Sequence, residues 1–104
     1  MASPRESTTA VPEVEALEET RLAPRYRVLV HDDDVTPMSF VEDILIDVFH
    51  LSAPDAERTM LAAHRGGVAH VTTLALEEAE VRCETAHGKA RAKGFPLTFT
   101  YEPE

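Results

Sequence analysis

Tryptophan is absent from this chain of 104 residues, and aromatic residues of every kind make up only 6% of it. A packed core must therefore be built from aliphatic side chains, and a hydrophobic content of 43% is enough for one domain. Cations are scarce: 10 Lys and Arg stand against 19 Asp and Glu, for a formal net charge of -9. Phosphate recognition relies on clustered Lys and Arg, so neither nucleic acid nor an anionic membrane surface is expected as a partner. The balance favours a cationic partner such as a protein amine. No apolar run approaches the roughly 18 residues of a membrane span. Residues 1–20 also lack the basic start and apolar run of a secretory signal. The single cysteine, Cys83, cannot form an internal disulfide, which fits a reducing, cytoplasmic setting. In a helical pattern it reads as a small core residue rather than a nucleophile.

Residues 1–24 read as a flexible N-terminal extension. Met1 to Ala10 is Ser, Thr and Pro with scattered charge, and Glu13, Glu15, Glu18 and Glu19 then make it acidic. Val11, Val14, Leu17 and Leu22 cannot bury enough area to offset the entropy of ordering it. The segment is either a solvated leader or an arm that meets a partner. Residues 25–104 read as one folded core. Tyr26 to Val30 is short and β-rich, hence a strand. Thr36-Pro37 reads as a helix start, with Thr36 as cap and Pro37 at the first helical position. Phe40, Val41, Ile44, Leu45, Val48 and Phe49 follow at helical spacing. Ser52 begins a second helix with Asp55 as its capping-box partner, and Gly66-Gly67 ends it. Val68 to Thr73 is a strand. Leu76 to Lys93 is a third helix with an inward stripe of Ala79, Cys83, Ala86 and Ala90. Leu97 to Tyr101 alternates as a last strand. The order β-α-α-β-α-β implies an α+β fold, a single α/β sandwich: three helices on one side of a three-stranded, largely antiparallel sheet. A monomer is the default.

Three consecutive aspartates, Asp32, Asp33 and Asp34, follow the first strand. As a bland turn they would need no explanation. Two features speak for more. Asp33 and Asp34 precede a helix start, where carboxylates are stabilised. In an extended segment Asp32 and Asp34 would also share one face while His31 and Asp33 take the other. Carboxylates side by side invite a cation, either a metal or an ammonium group. A calcium loop needs acids at alternate positions, a central Gly and a distal Glu, none of which fits here. His31, His50, His64, His70 and His87 show no zinc-ligand spacing. No metal and no cofactor are expected. His64, at a helix end, is either a partner of backbone carbonyls or the wall of a site. Two carboxylates and a His suit acid–base chemistry. However, there is no nucleophile motif and no phosphate-cradling loop, so the chain reads as not an enzyme.

The segment Val28-Leu29-Val30-His31-Asp32-Asp33-Asp34-Val35-Thr36-Pro37-Met38-Ser39-Phe40-Val41 resembles the Asn-Asp-Asp-x-Thr-Pro-Met-x-Phe-Val region of the ClpS adaptors. Met60-Leu61-Ala62-Ala63-His64 resembles that family's second pocket segment, and Phe95-Pro96-Leu97 the Pro-Leu that opens its last strand. The blocks occur in the same order over about residues 26–102. The resemblance implies the α/β sandwich already read. It also implies an adaptor that binds proteins beginning with Leu, Phe, Tyr or Trp (N-degrons) and delivers them to a ClpA- or ClpC-type AAA+ unfoldase paired with the ClpP peptidase. Asp32, Asp33, Asp34 and His64 then form the site for the substrate α-amino group. Thr36, Met38, Val41, Met60, Ala63 and Leu97 line the pocket for the first side chain, with Met38 as a gate. The N-terminal arm would engage the unfoldase.

The chain departs from the family pattern in three places. Asp32 replaces an Asn. It still accepts from an ammonium, with charge assistance, but lacks the amide donor. Ala63 stands where Val is usual and enlarges the slot, which tilts the expected preference toward Phe, Tyr or Trp over Leu. Ala75 replaces the Thr cap of the third helix, at some expected cost in stability. The replacement of Asn by Asp32 keeps open an alternative: a divergent regulator of the unfoldase without N-degron binding.

Overall fold

The computed structural model describes residues 23–104. Residues 1–22 of the predicted arm lie outside the described residues. The elements run β1 (Arg25–His31), α1 (Met38–Asp47), α2 (Ala53–Gly66), β2 (Val68–Ala75), α3 (Leu76–Ala92) and β3 (Thr98–Pro103). This is the predicted β-α-α-β-α-β order. The sheet is wholly antiparallel, with β1 in the centre of the order β2-β1-β3.

Alternation in β1 sends Val28 and Val30 into the core, at 0% and 1% exposure. Arg27 and His31 share the other face. There Arg27 meets its cross-strand partner Glu102 at 2.9 Å, and His31 Nε2 meets Thr100 Oγ1 at 2.7 Å. The β1–β2 register shifts between Val28 and Leu29, whose partners are Thr72 and His70. Val71 is thus the extra residue of a bulge, and it is buried.

The helices cover the inward face. The predicted stripe of α3 is all buried: Ala79, Ala86 and Ala90 at 0% and Cys83 at 2%. Small residues let this helix approach the sheet closely, and Phe49 and Phe99 fill the space beside it with ring centroids 4.9 Å apart. Burial pushes the Cys83 thiol up to about 11, so it is a core group and not a reactive one.

Helix ends differ from expectation in detail. Helix α2 starts as read, because Ser52 Oγ accepts the Asp55 N–H at 3.2 Å. The box is only half made: the Asp55 carboxylate pairs with Arg58 instead of reaching back. Helix α1 begins one residue later than read. Pro37 (φ -64°, ψ 144°) is its extended cap residue and no side chain caps it. Thr36 is therefore not the cap, because the Asp33 carboxylate accepts from its hydroxyl. Ala75 precedes α3 with no side-chain cap, as its methyl requires.

Candidate functional site

Gly67 sets the geometry of the site. It ends α2 in the left-handed conformation, φ 91°, which glycine adopts without steric cost. Its carbonyl then accepts the Asp32 N–H at 2.9 Å, and β2 starts at Val68 opposite His31. The last turn of α2 is thereby set beside the end of β1. His64 Nδ1 lies 3.6 Å from Asp32 Oδ1. That is too long for a hydrogen bond and becomes an ion pair when the imidazole is protonated. The His64 side chain is 53% exposed and that of Asp32 32%, so water screens the contact.

The extended segment stops at His31, so the predicted alternation of Asp32 and Asp34 against His31 and Asp33 does not run through the acid run. Instead Asp33 folds back on its own loop. Its Oδ1 accepts the N–H groups of Val35 and Thr36 at 2.8 and 2.7 Å, and its Oδ2 accepts the Thr36 hydroxyl at 2.9 Å. This is an Asx-type turn, not a cap on α1. Burial acts to raise the pKa of Asp33. The N–H groups of Thr36 and Val35, the Thr36 hydroxyl and the Arg91 guanidinium outweigh it and hold the carboxyl below its ordinary value. Asp34 is exposed and has no hydrogen-bond or ion-pair partner among the described residues.

A cavity of about 210 Å³ opens here, and every residue predicted for the site lines it. Asp32, Asp33, Asp34 and His64 form the polar side. Thr36, Met38, Val41, Met60, Ala63 and Leu97 form the rest, graded in depth. Met38 is 43% exposed at the mouth, whereas Met60, Ala63 and Leu97 are 7%, 3% and 1% exposed. His31, at the head of the acidic run, lines the cavity too, and one further lining residue, Val30, was not among those predicted. Val30 was read only as part of the first strand. Its place as the last inward residue before the acid run was the signal for a second role. Among the described residues no group of three or more His, Cys, Asp or Glu is arranged to hold a metal ion. No helix among them is long and apolar enough to cross a membrane. The site offers two carboxylates not consumed by the fold, an imidazole, and a dry apolar slot beside them. A cation attached to an apolar group fits that description.

Comparison with known proteins bears on this reading. The family model for "ATP-dependent Clp protease adaptor protein ClpS" matches residues 21–100. An ATP-dependent Clp protease adapter protein ClpS from Nitratidesulfovibrio vulgaris is 42% identical over 85 residues, covering 82% of each chain. The adapter protein ClpS 2 of Mesorhizobium japonicum is 38% identical over 100 residues, covering 90% of this chain and 99% of its own. Among solved structures, Agrobacterium tumefaciens ClpS2 bound to L-phenylalaninamide superimposes with a TM-score of 0.75 at 40% identity, covering 78% of this chain and 98% of that one. The α+β sandwich, the site's position within it and these relatives agree, and the chain belongs to the ClpS family of ATP-dependent Clp protease adaptors.

Proposed function

We propose that this protein is a non-catalytic adaptor that captures the free N-terminal residue of other proteins and hands them to a Clp AAA+ unfoldase, of ClpA or ClpC type, working with ClpP. The single observation that carries the reading is the cavity's division into an acidic mouth and a buried apolar end. Asp32 and Asp34 receive the α-ammonium, with His64 beside them as a further acceptor. Asp33 acts less directly: it is spent on Val35 and Thr36 and holds the loop in shape. Met38 guards the slot, and Met60, Ala63 and Leu97 form its dry end. Support also comes from the relative solved with L-phenylalaninamide, a ligand with one free α-amine and one aromatic side chain. Residues 1–24 serve as the arm that meets the unfoldase, and the core acts as a monomer in the cytoplasm.

Titration with short peptides that differ only in residue 1, each with a free or an acetylated N-terminus, tests this. Free Phe- and Leu-initiated peptides bind, and acetylation abolishes binding, because it removes both the charge and two donors. Phe-initiated peptides bind more tightly than Leu-initiated ones, since Ala63 leaves room for a ring. Failure of every free-amine peptide to bind would discard this reading for the alternative raised by Asp32, a regulator of the unfoldase that does not grip N-termini.

A further inference from the structure

Leu97 forms the deepest wall of the slot, yet it stands outside the regular elements, one residue before β3. What fixes its depth lies behind it. Helix α3 ends at Ala92, the chain reverses through Gly94 at φ 77°, and Phe95-Pro96-Leu97 runs back toward the cavity. Arg91 spans this return. Its Nη1 donates to the carbonyl of Phe95 at 2.8 Å and to that of Leu97 at 2.9 Å. The Phe95 N–H is bonded to the Ala90 carbonyl at 2.9 Å, and the Phe95 ring packs edge-on against Phe40 of α1 with centroids 5.0 Å apart. The same guanidinium acts on the Asp33 carboxyl across the site. One cation thus bears on both halves of the pocket: the backbone of its apolar wall and the acid that shapes its polar loop. Both bonds leave one nitrogen, whose two N–H groups lie in the rigid guanidinium plane and so hold the two carbonyls at a set angle to one another.

We propose that Arg91 is a positioning residue for specificity, clamping the Phe95 and Leu97 carbonyls from behind so that Leu97 stands at a set distance from Met60 and Ala63 and limits which first side chain enters. The inference rests on the N-terminal-residue reading above. Arg91 is not among the cavity-lining residues, so it acts through Leu97. A plain stabilising role, a cation favouring the negative end of α3, is the competing account. The two differ in what they do to discrimination. Loss of a helix-end cation weakens every ligand by the same factor. Loss of a clamp changes the ratio between ligands, because it alters the slot and not the amine site.

The experiment measures affinities of Leu-, Phe- and Trp-initiated peptides, free and acetylated, for the wild type, Arg91→Lys and Arg91→Met. Thermal unfolding is followed alongside, and the Leu97 methyl and Thr36 amide NMR signals are recorded without ligand. In Arg91→Met the spread of affinities across the three first residues changes by about tenfold, the low end of what one methylene of mismatch in an apolar pocket is worth. Acetylated peptides remain unbound, and both NMR signals move. Arg91→Lys, whose shorter, freely rotating ammonium keeps the charge but not the planar pair of donors, changes the spread as well and serves if the Met variant does not fold. An unchanged spread, or an equal loss for all three peptides, overturns the inference and leaves the parent reading intact. A wild type that binds no free-amine peptide overturns both.

Discussion

The acid loop after β1 and the seam of α3 both set titratable side chains against the same small sheet, and they treat them in opposite ways. In the seam, packing accounts for each group. Ala79, Cys83, Ala86 and Ala90 are almost without exposure, and the thiol among them is pushed to about 11 by burial, so it stays neutral and inert. In the loop only one of three acids is used by the fold. Among the described residues Asp33 accepts three hydrogen bonds and closes the turn, while Asp34 accepts none and Asp32 has a screened contact with His64. Side-by-side carboxylates repel, and nothing in the packing requires Asp32 and Asp34. The contrast separates residues that make the fold from residues that the fold carries for something else.

The seam should be the easier of the two to break. Ala86→Leu adds three carbons where no exposure remains, with overpacking that costs roughly 1–3 kcal/mol. The melting temperature is expected to fall by about 4–8 °C for each kcal/mol in a domain of this size. Peptide affinity of the folded fraction should hold, because the cavity lies among other residues. A loss of affinity without a loss of stability would mean that the seam belongs to the site, and the comparison would fail.

The loop should show the reverse, and it divides within itself. Asp34→Asn keeps the shape, removes a charge that the fold does not use, and should leave unfolding within about 0.5 kcal/mol. Affinity for free-amine peptides should fall by about tenfold, as expected when a charge-assisted bond becomes a neutral one. Asp33→Ala removes the acceptor of the turn's three hydrogen bonds and should cost about 0.5–1.5 kcal/mol, with affinity reduced only as the loop loosens. Denaturation midpoints and peptide titrations on both variants decide this. Equal effects on stability and binding from the two substitutions would erase the distinction between used and surplus acids.

Much of this was legible in the sequence, for different reasons in different places. The seam was legible because helical periodicity depends on local spacing alone, and Ala79, Cys83, Ala86 and Ala90 obey it. The pocket's members were legible through the resemblance of three blocks, since composition left the acid run as either a turn or a site. The cap of α1 was misread. Thr36-Pro37 has the local chemistry of a helix start, but the Thr36 hydroxyl is claimed by Asp33 three residues earlier, a competition between neighbours that propensity does not weigh. The parity of the acids was misread for a related reason: alternation holds only while the strand lasts, and β1 ends at His31. Arg91 was legible only as a cation at the negative end of the third helix; its hold on the Phe95 and Leu97 carbonyls was not, because these lie across a chain reversal at Gly94.

His87 offers the finest test, since it lies on α3 beside the seam yet behaves like neither region. Its Nε2 accepts the Phe99 N–H at 2.9 Å and so ties α3 to β3. Only a neutral imidazole accepts a bond at that nitrogen. Burial first, and the Arg91 guanidinium second, push its pKa below the ordinary value of 6.5. The folded state therefore binds fewer protons than the unfolded chain. The stabilisation is complete above 6.5 and is lost as pH falls below it toward the lowered folded value. His87→Gln keeps an acceptor but does not titrate. The wild type should lose stability relative to this variant as pH falls from 8 through 6.5 toward the folded pKa, because only its imidazole takes up a proton over that window. Parallel curves of denaturation midpoint against pH would show that His87 is surplus to the fold, as Asp34 is, and would move it to the other side of the comparison.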